Sequence, residues 1–121
     1  VRSFEVNETL AEELGLTPGV PFTVDVLRLR EDGDANDLKM VSFRGLPANS
    51  YGKYMHDAPG LRYMTLRFPD LEPVLERLKE HQVSLQGKSP VAMKPGHYLA
   101  VIRDPDGTFI ELAGPGRPSG Q

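Results

Sequence analysis

Glu111 is the carboxylate whose setting most invites a chemical role, because it stands between Ile110 and Leu112 in a late apolar run. If that run is a strand, Phe109 and Glu111 share one face, and Thr108, Ile110 and Leu112 share the other. An unpaired carboxylate is costly to bury. Glu111 is therefore either a polar contact in a cleft or a solvated residue on an edge strand, and the residues alone leave both open. The three histidines, His56, His81 and His97, show no ligand spacing such as H-x-x-x-H and read first as surface residues. His97, beside Tyr98, is the one candidate for a cleft mouth, since it opens the strand expected to pair with that of Glu111. There is no cysteine, which excludes disulfides, a thiolate nucleophile and a Cys-based metal site. No nucleophile elbow, phosphate-cradling glycine loop or Ser-His-Asp arrangement is visible, so motifs alone identify no catalytic residue.

The 121 residues suffice for one modest core, and 39% apolar with 26% charged residues is a globular composition. A net charge of −3 argues against a nucleic-acid partner, which needs a clustered basic surface. No apolar run approaches the ~20 residues of a membrane helix, and no signal-peptide pattern opens the chain. The expectation is a cytoplasmic protein with no membrane partner. The chain opens at Val1 in a strand-like segment, so a processed or truncated N-terminus is expected.

Residues 1–6 read as a strand, and Asn7 as the N-cap of a short helix carrying Leu10, Ala11 and Leu14 that Gly15 ends. Phe22, Val24 and Val26 alternate with Thr23 and Asp25, the pattern of a half-buried strand. An acidic loop joins it to a strand over 38–43, and residues 45–60 read as a linker. Residues 61–68 form the next strand. Asp70 is placed to cap a helix over 71–81 whose stripe is Leu71, Val74, Leu75 and Leu78. Short strands are expected at 83–85, 97–103 and 108–113, with a loop over 88–96. Asp104-Pro105-Asp106-Gly107 suits a type I turn. Residues 115–121 read as a flexible tail.

LRYMTLRFPDLEPVLERL (61–78) and RDPDGTFIEL (103–112), in this βαβββ order, resemble the second module of the vicinal-oxygen-chelate superfamily, which includes glyoxalases, bleomycin-resistance proteins and dioxygenases. The resemblance implies an α+β fold of paired βαβββ modules, with residues 1–44 as a partial first module lacking its opening strand and helix, and residues 61–114 as the second. It also implies a cleft between modules, and a homodimer.

Family enzymes hold a divalent metal (Fe, Mn, Ni or Zn) through four side chains, two from each module. By that resemblance Glu111 is the one ligand retained. Tyr63 stands where the second-module His belongs, and Lys39 where the first-module Glu belongs. A neutral phenol with a pKa near 10 is a poor ligand, and a cation repels a metal. Tyr63 reads better as an aromatic cleft wall. Lys39 is either an ion-pair partner that fills the metal's place beside Glu111 or a solvent-facing lysine. The expectation is a degenerate metal site with no cofactor, and a small organic molecule bound by Lys39, Tyr63, His97, Phe109 and Glu111. The alternative is a metal-dependent lyase, isomerase or dioxygenase completed by a missing segment or a partner chain. Whether the chain is an enzyme stays open at this stage.

Overall fold

In a computed structural model, residues 2–45, 52–57 and 59–116 are described. The chain divides into two compact units, Val1–Pro47 and Ala48–Gln121.

The first unit is a three-stranded antiparallel sheet in the order β1 (Arg2–Val6), β2 (Phe22–Arg28), β3 (Asp37–Ser42). Helix α1 (Glu8–Glu13) follows β1. It starts where the Asn7 side chain accepts a hydrogen bond from the Leu10 N–H at 2.9 Å, satisfying one of the orphan donors of the first turn. It ends before Gly15, whose φ of 70° suits a residue without Cβ. The alternation along β2 turns Phe22, Val24 and Val26 to one face, where they bury with Val6 and Ala11, and Phe43 packs against them. Among the described residues no strand lies beyond β3, so that sheet edge is unpaired.

The second unit is a four-stranded sheet in the order β4 (Tyr63–Arg67), β7 (Phe109–Pro115), β6 (His97–Arg103), β5 (Val91–Lys94). β4 and β7 run parallel, and the other pairs are antiparallel. Helix α2 (Glu72–Glu80) lies between β4 and β5 in sequence and lays Leu71, Val74, Leu75 and Leu78 on Leu66, Ala100, Ile110 and Leu112. Leu71 and Ala100 are completely buried. The opposite face of the sheet carries Tyr63, Thr65, Arg67, Phe109, Glu111 and Ala113. Both units are mixed α and β, and the second has the expected βαβββ order.

Several boundaries differ from the sequence reading. Asp70 accepts from the Glu72 N–H at 3.1 Å, but the cap position itself is Leu71, whose own N–H bonds to the Pro115 carbonyl at 2.8 Å. Residues 83–85 do not form a strand. The second strand of the module is Val91–Lys94, inside the stretch expected to be a loop. All four of its residues are exposed, so no period-2 apolar pattern marked it, and the flanking Pro90 and Pro95 read as loop punctuation. β7 runs on through Gly114 and Pro115, where the tail was expected to start. There the Gly116 N–H bonds to the Gly96 carbonyl at 3.1 Å, while residues 117–121 lie outside the described residues. Within the expected linker, Met55–Asp57 forms a 3-10 turn. No helix among the described residues is long and apolar enough to cross a membrane.

Candidate functional site

The site is built on the parallel pair β4–β7. Tyr63 is the register partner of Phe109, and Thr65 that of Glu111, so all four side chains leave the sheet on the face away from α2. The pair forms because β7 must return beside β4 after the hairpin at Asp104–Gly107. That turn is fixed by the Gly107 N–H on the Asp104 carbonyl at 3.0 Å, and by Asp104 Oδ1 accepting from the N–H groups of Asp106 and Thr108 at 3.0 and 2.9 Å. Gly107, at φ 96°, occupies a conformation that a Cβ would strain. The hairpin register then sets Glu111 opposite Val101 on β6.

Both carboxylate oxygens of Glu111 are engaged within the second unit. The Tyr63 hydroxyl donates to Oε2, and the Thr65 hydroxyl donates to Oε1 at 3.2 Å. The hydrogen bond to Glu111 holds the Tyr63 pKa above its ordinary value, and desolvation and the negative charge of Glu111 push the same way. Tyr63 therefore keeps its proton at neutral pH and presents it to the carboxylate.

Phe109 is covered rather than bare. The Arg103 guanidinium lies 4.5 Å from its ring centroid, within cation–π range. Arg103 also donates to the carbonyls of Gly52 at 2.7 Å and Gly107 at 3.0 Å, which ties residues 52–57 to the β6–β7 hairpin. The turn in that segment is closed by Asp57, whose carboxylate accepts from the N–H groups of Tyr54 and Lys53, each at 2.9 Å. Those bonds, that of Tyr54 foremost, hold its pKa below the usual value.

The sequence-derived residues are distributed as follows. Tyr63, Phe109 and Glu111 are together on one face, and Tyr63 meets Glu111 directly. His97 lies further along that face, opposite Pro115 on β7, with its Nδ1 buried. Lys39 belongs to the first unit, exposed on β3 opposite Val26. The two hairpins repeat one register. Arg28 pairs with Asp37 as Arg103 pairs with Phe109, and two residues further in Val26 pairs with Lys39 as Val101 pairs with Glu111. Lys39 thus holds in its hairpin the position Glu111 holds in its own. Thr65, Arg67 and Arg103 were not singled out from sequence. Strand alternation puts the first two on the face of Tyr63 without giving them a role, whereas the role of Arg103 depends on a segment read as linker.

Among the described residues no three of His, Cys, Asp and Glu come together. No family model matches the chain, and no curated protein does. A search of solved structures finds a glyoxalase family protein from Bacillus cereus, with a TM-score of 0.71 and 20% sequence identity, covering 96% of this chain and 76% of that one. The fold is of the glyoxalase type. Within the second unit the parallel β4–β7 pair puts Tyr63 and Glu111 on neighbouring strands although 48 residues separate them in sequence.

Proposed function

We propose that this protein binds a small organic molecule, without a metal, on the face of the second sheet that carries Tyr63, Phe109 and Glu111. The observation that carries the reading is the engagement of both Glu111 oxygens by the hydroxyls of Tyr63 and Thr65. A metal-binding carboxylate directs its lone pairs at the ion, and its co-ligands must have shed the proton from the ligating atom, as a thiolate, a neutral imidazole nitrogen or a carboxylate has. Here the neighbour at the co-ligand position is a phenol that retains its proton. Arg67 follows on the same face and adds a positive charge. Structural and catalytic metal sites use at least three protein ligands. The residues of this face do not fit that requirement.

Glu111 and Tyr63 serve instead as the polar groups of a binding face, with Val101 as apolar surface and Phe109, held under Arg103, at its border. A homodimer goes with this reading. It is supported by the exposed edge of β3, where Met40 and Val41 are each 49% exposed, and sedimentation at micromolar concentration checks it.

The test is metal content by elemental analysis after dialysis against Mn, Ni, Zn and Fe, followed by thermal-shift screening of small aromatic and aliphatic compounds. Below about a tenth of an equivalent of metal, with a saturable shift that Glu111→Gln weakens, is the expected result. About one equivalent, lost in Glu111→Ala, would replace this reading with a metal-dependent lyase, isomerase or dioxygenase.

A further inference from the structure

The face that carries Thr65 and Glu111 continues, one two-residue step along β4 and β7, to the register partners Arg67 and Ala113. On β6, Leu99 pairs with Ala113 and His97 with Pro115. At this end of the second sheet lies a pocket of about 410 Å³ whose walls include Arg67, Met93, Lys94, His97, Leu99 and Ala113.

Three features of those walls point the same way. Arg67 and Lys94 contribute two positive charges, and no Asp or Glu is among the described residues that line the pocket. That is a local reversal in a chain with 17 acidic and 14 basic residues. Neither cation forms an ion pair with a described residue, whereas Arg28 and Arg30 are matched to Asp37 and Asp32. Finally, the buried Nδ1 of His97 has no hydrogen-bond partner among the described residues. A buried polar atom is unfavourable unless something pairs with it.

We propose that this pocket is an anion subsite, taking the carboxylate of a ring-bearing organic acid whose apolar body runs over Leu99 and Ala113 toward Glu111. The guanidinium of Arg67 matches a carboxylate with its planar fork, and Lys94 adds a point charge. Two residues along a strand span roughly 7 Å, which keeps the ligand's negative charge a step away from that of Glu111. The assignment rests on the small-molecule reading above and narrows it to organic anions.

The experiment is an NMR titration of the ¹⁵N-labelled full chain with 2-naphthoate and, separately, with its uncharged analogue 2-naphthamide. Naphthoate is expected to shift the amides of Leu99 and Ala113 saturably and to bind at least about fivefold tighter than the amide. Arg67→Gln and Lys94→Gln each weaken naphthoate by about fivefold or more and leave naphthamide unchanged, while Arg77→Gln on α2 changes neither. The amide spectra show directly that each variant is folded. If naphthamide binds as tightly and both pocket substitutions are silent, the anion subsite is wrong although the small-molecule reading stands. If neither probe moves an amide of β4, β6 or β7, both fall.

Discussion

The Tyr63 hydroxyl donates to Glu111 across a parallel strand pair in which neither residue is the other's register partner: Tyr63 is opposite Phe109, and Glu111 is opposite Thr65. The diagonal contact exists because a tyrosine is long enough to reach the next row, where Thr65 already donates to the other oxygen. One carboxylate on β7 therefore organises two hydroxyls on β4.

The first prediction follows from the direction of the Tyr63 shift. Its folded pKa is raised by the hydrogen bond to Glu111, so the stabilisation is complete below the unfolded tyrosine value near 10. It is lost as pH rises through the folded value. Of the four tyrosines, one should ionise later than the rest in an ultraviolet phenolate titration, and that late step should vanish in Tyr63→Phe. Melting temperatures measured from about pH 9 upward should fall more steeply for the native protein than for the variant. Tyr63 is 38% exposed, so solvent screening keeps the loss at neutral pH below about 1 kcal/mol. Parallel pH profiles would show that the phenol does not depend on Glu111.

How much of this was legible in the sequence depends on what each element buries. The α2 stripe and the β2 alternation were readable because each has one buried face, which writes a period into the residues. The Asn7 cap and the Asp104–Gly107 turn were readable because local hydrogen bonding demands those residue types. β5 was not, since an edge strand exposed along its whole length imposes no pattern. Glu111 and Tyr63 could each be assigned a face, and the resemblance put both at one site, but their meeting requires the parallel pairing of distant strands, which no local pattern records. The Arg67–Lys94 pocket needed both the face of β4 and the existence of β5, so missing the strand hid the pocket.

The completely buried Leu71 anchors the second unit at the start of α2. Leu71→Ala should destabilise the protein by about 2–5 kcal/mol, because it removes apolar contacts and leaves a cavity between α2 and the sheet. Leu61 is 79% exposed, and Leu61→Ala should stay within about 0.5 kcal/mol. Urea denaturation followed by circular dichroism compares the two. Equal midpoints would mean that the packing under α2 is looser than described.

Gly114 lies where β7 passes the end of β4, and a Cβ there would stand 2.4 Å from the Phe68 carbonyl oxygen. Backbone cannot yield as a flexible side chain can, so Gly114→Ala should cost about 1–3 kcal/mol. At Gly116 the nearest atom to a Cβ is the Glu72 nitrogen at 3.4 Å, and Gly116→Ala should be milder. Thermal denaturation of the two variants, at one pH and concentration, ranks them. The reverse order would place the tight approach of β7 elsewhere.

Arg103 holds residues 52–57 by geometry as much as by charge. Its guanidinium reaches the Gly52 carbonyl at 2.7 Å, the Lys53 carbonyl at 3.4 Å and the Gly107 carbonyl at 3.0 Å while lying over Phe109. A lysine keeps the charge but has neither the fork nor the flat face. Hydrogen bonds from a charged donor are worth about 1.5–3 kcal/mol each when shielded, so losing the fork should raise the opening of this segment by roughly tenfold or more. Arg103→Lys and Arg103→Gln should therefore both be cut faster by trypsin after Lys53, by a similar factor, with little change in the global unfolding midpoint. If Arg103→Lys is cut at the native rate while Arg103→Gln is not, charge alone holds the segment, and the planar contact with the two carbonyls is incidental.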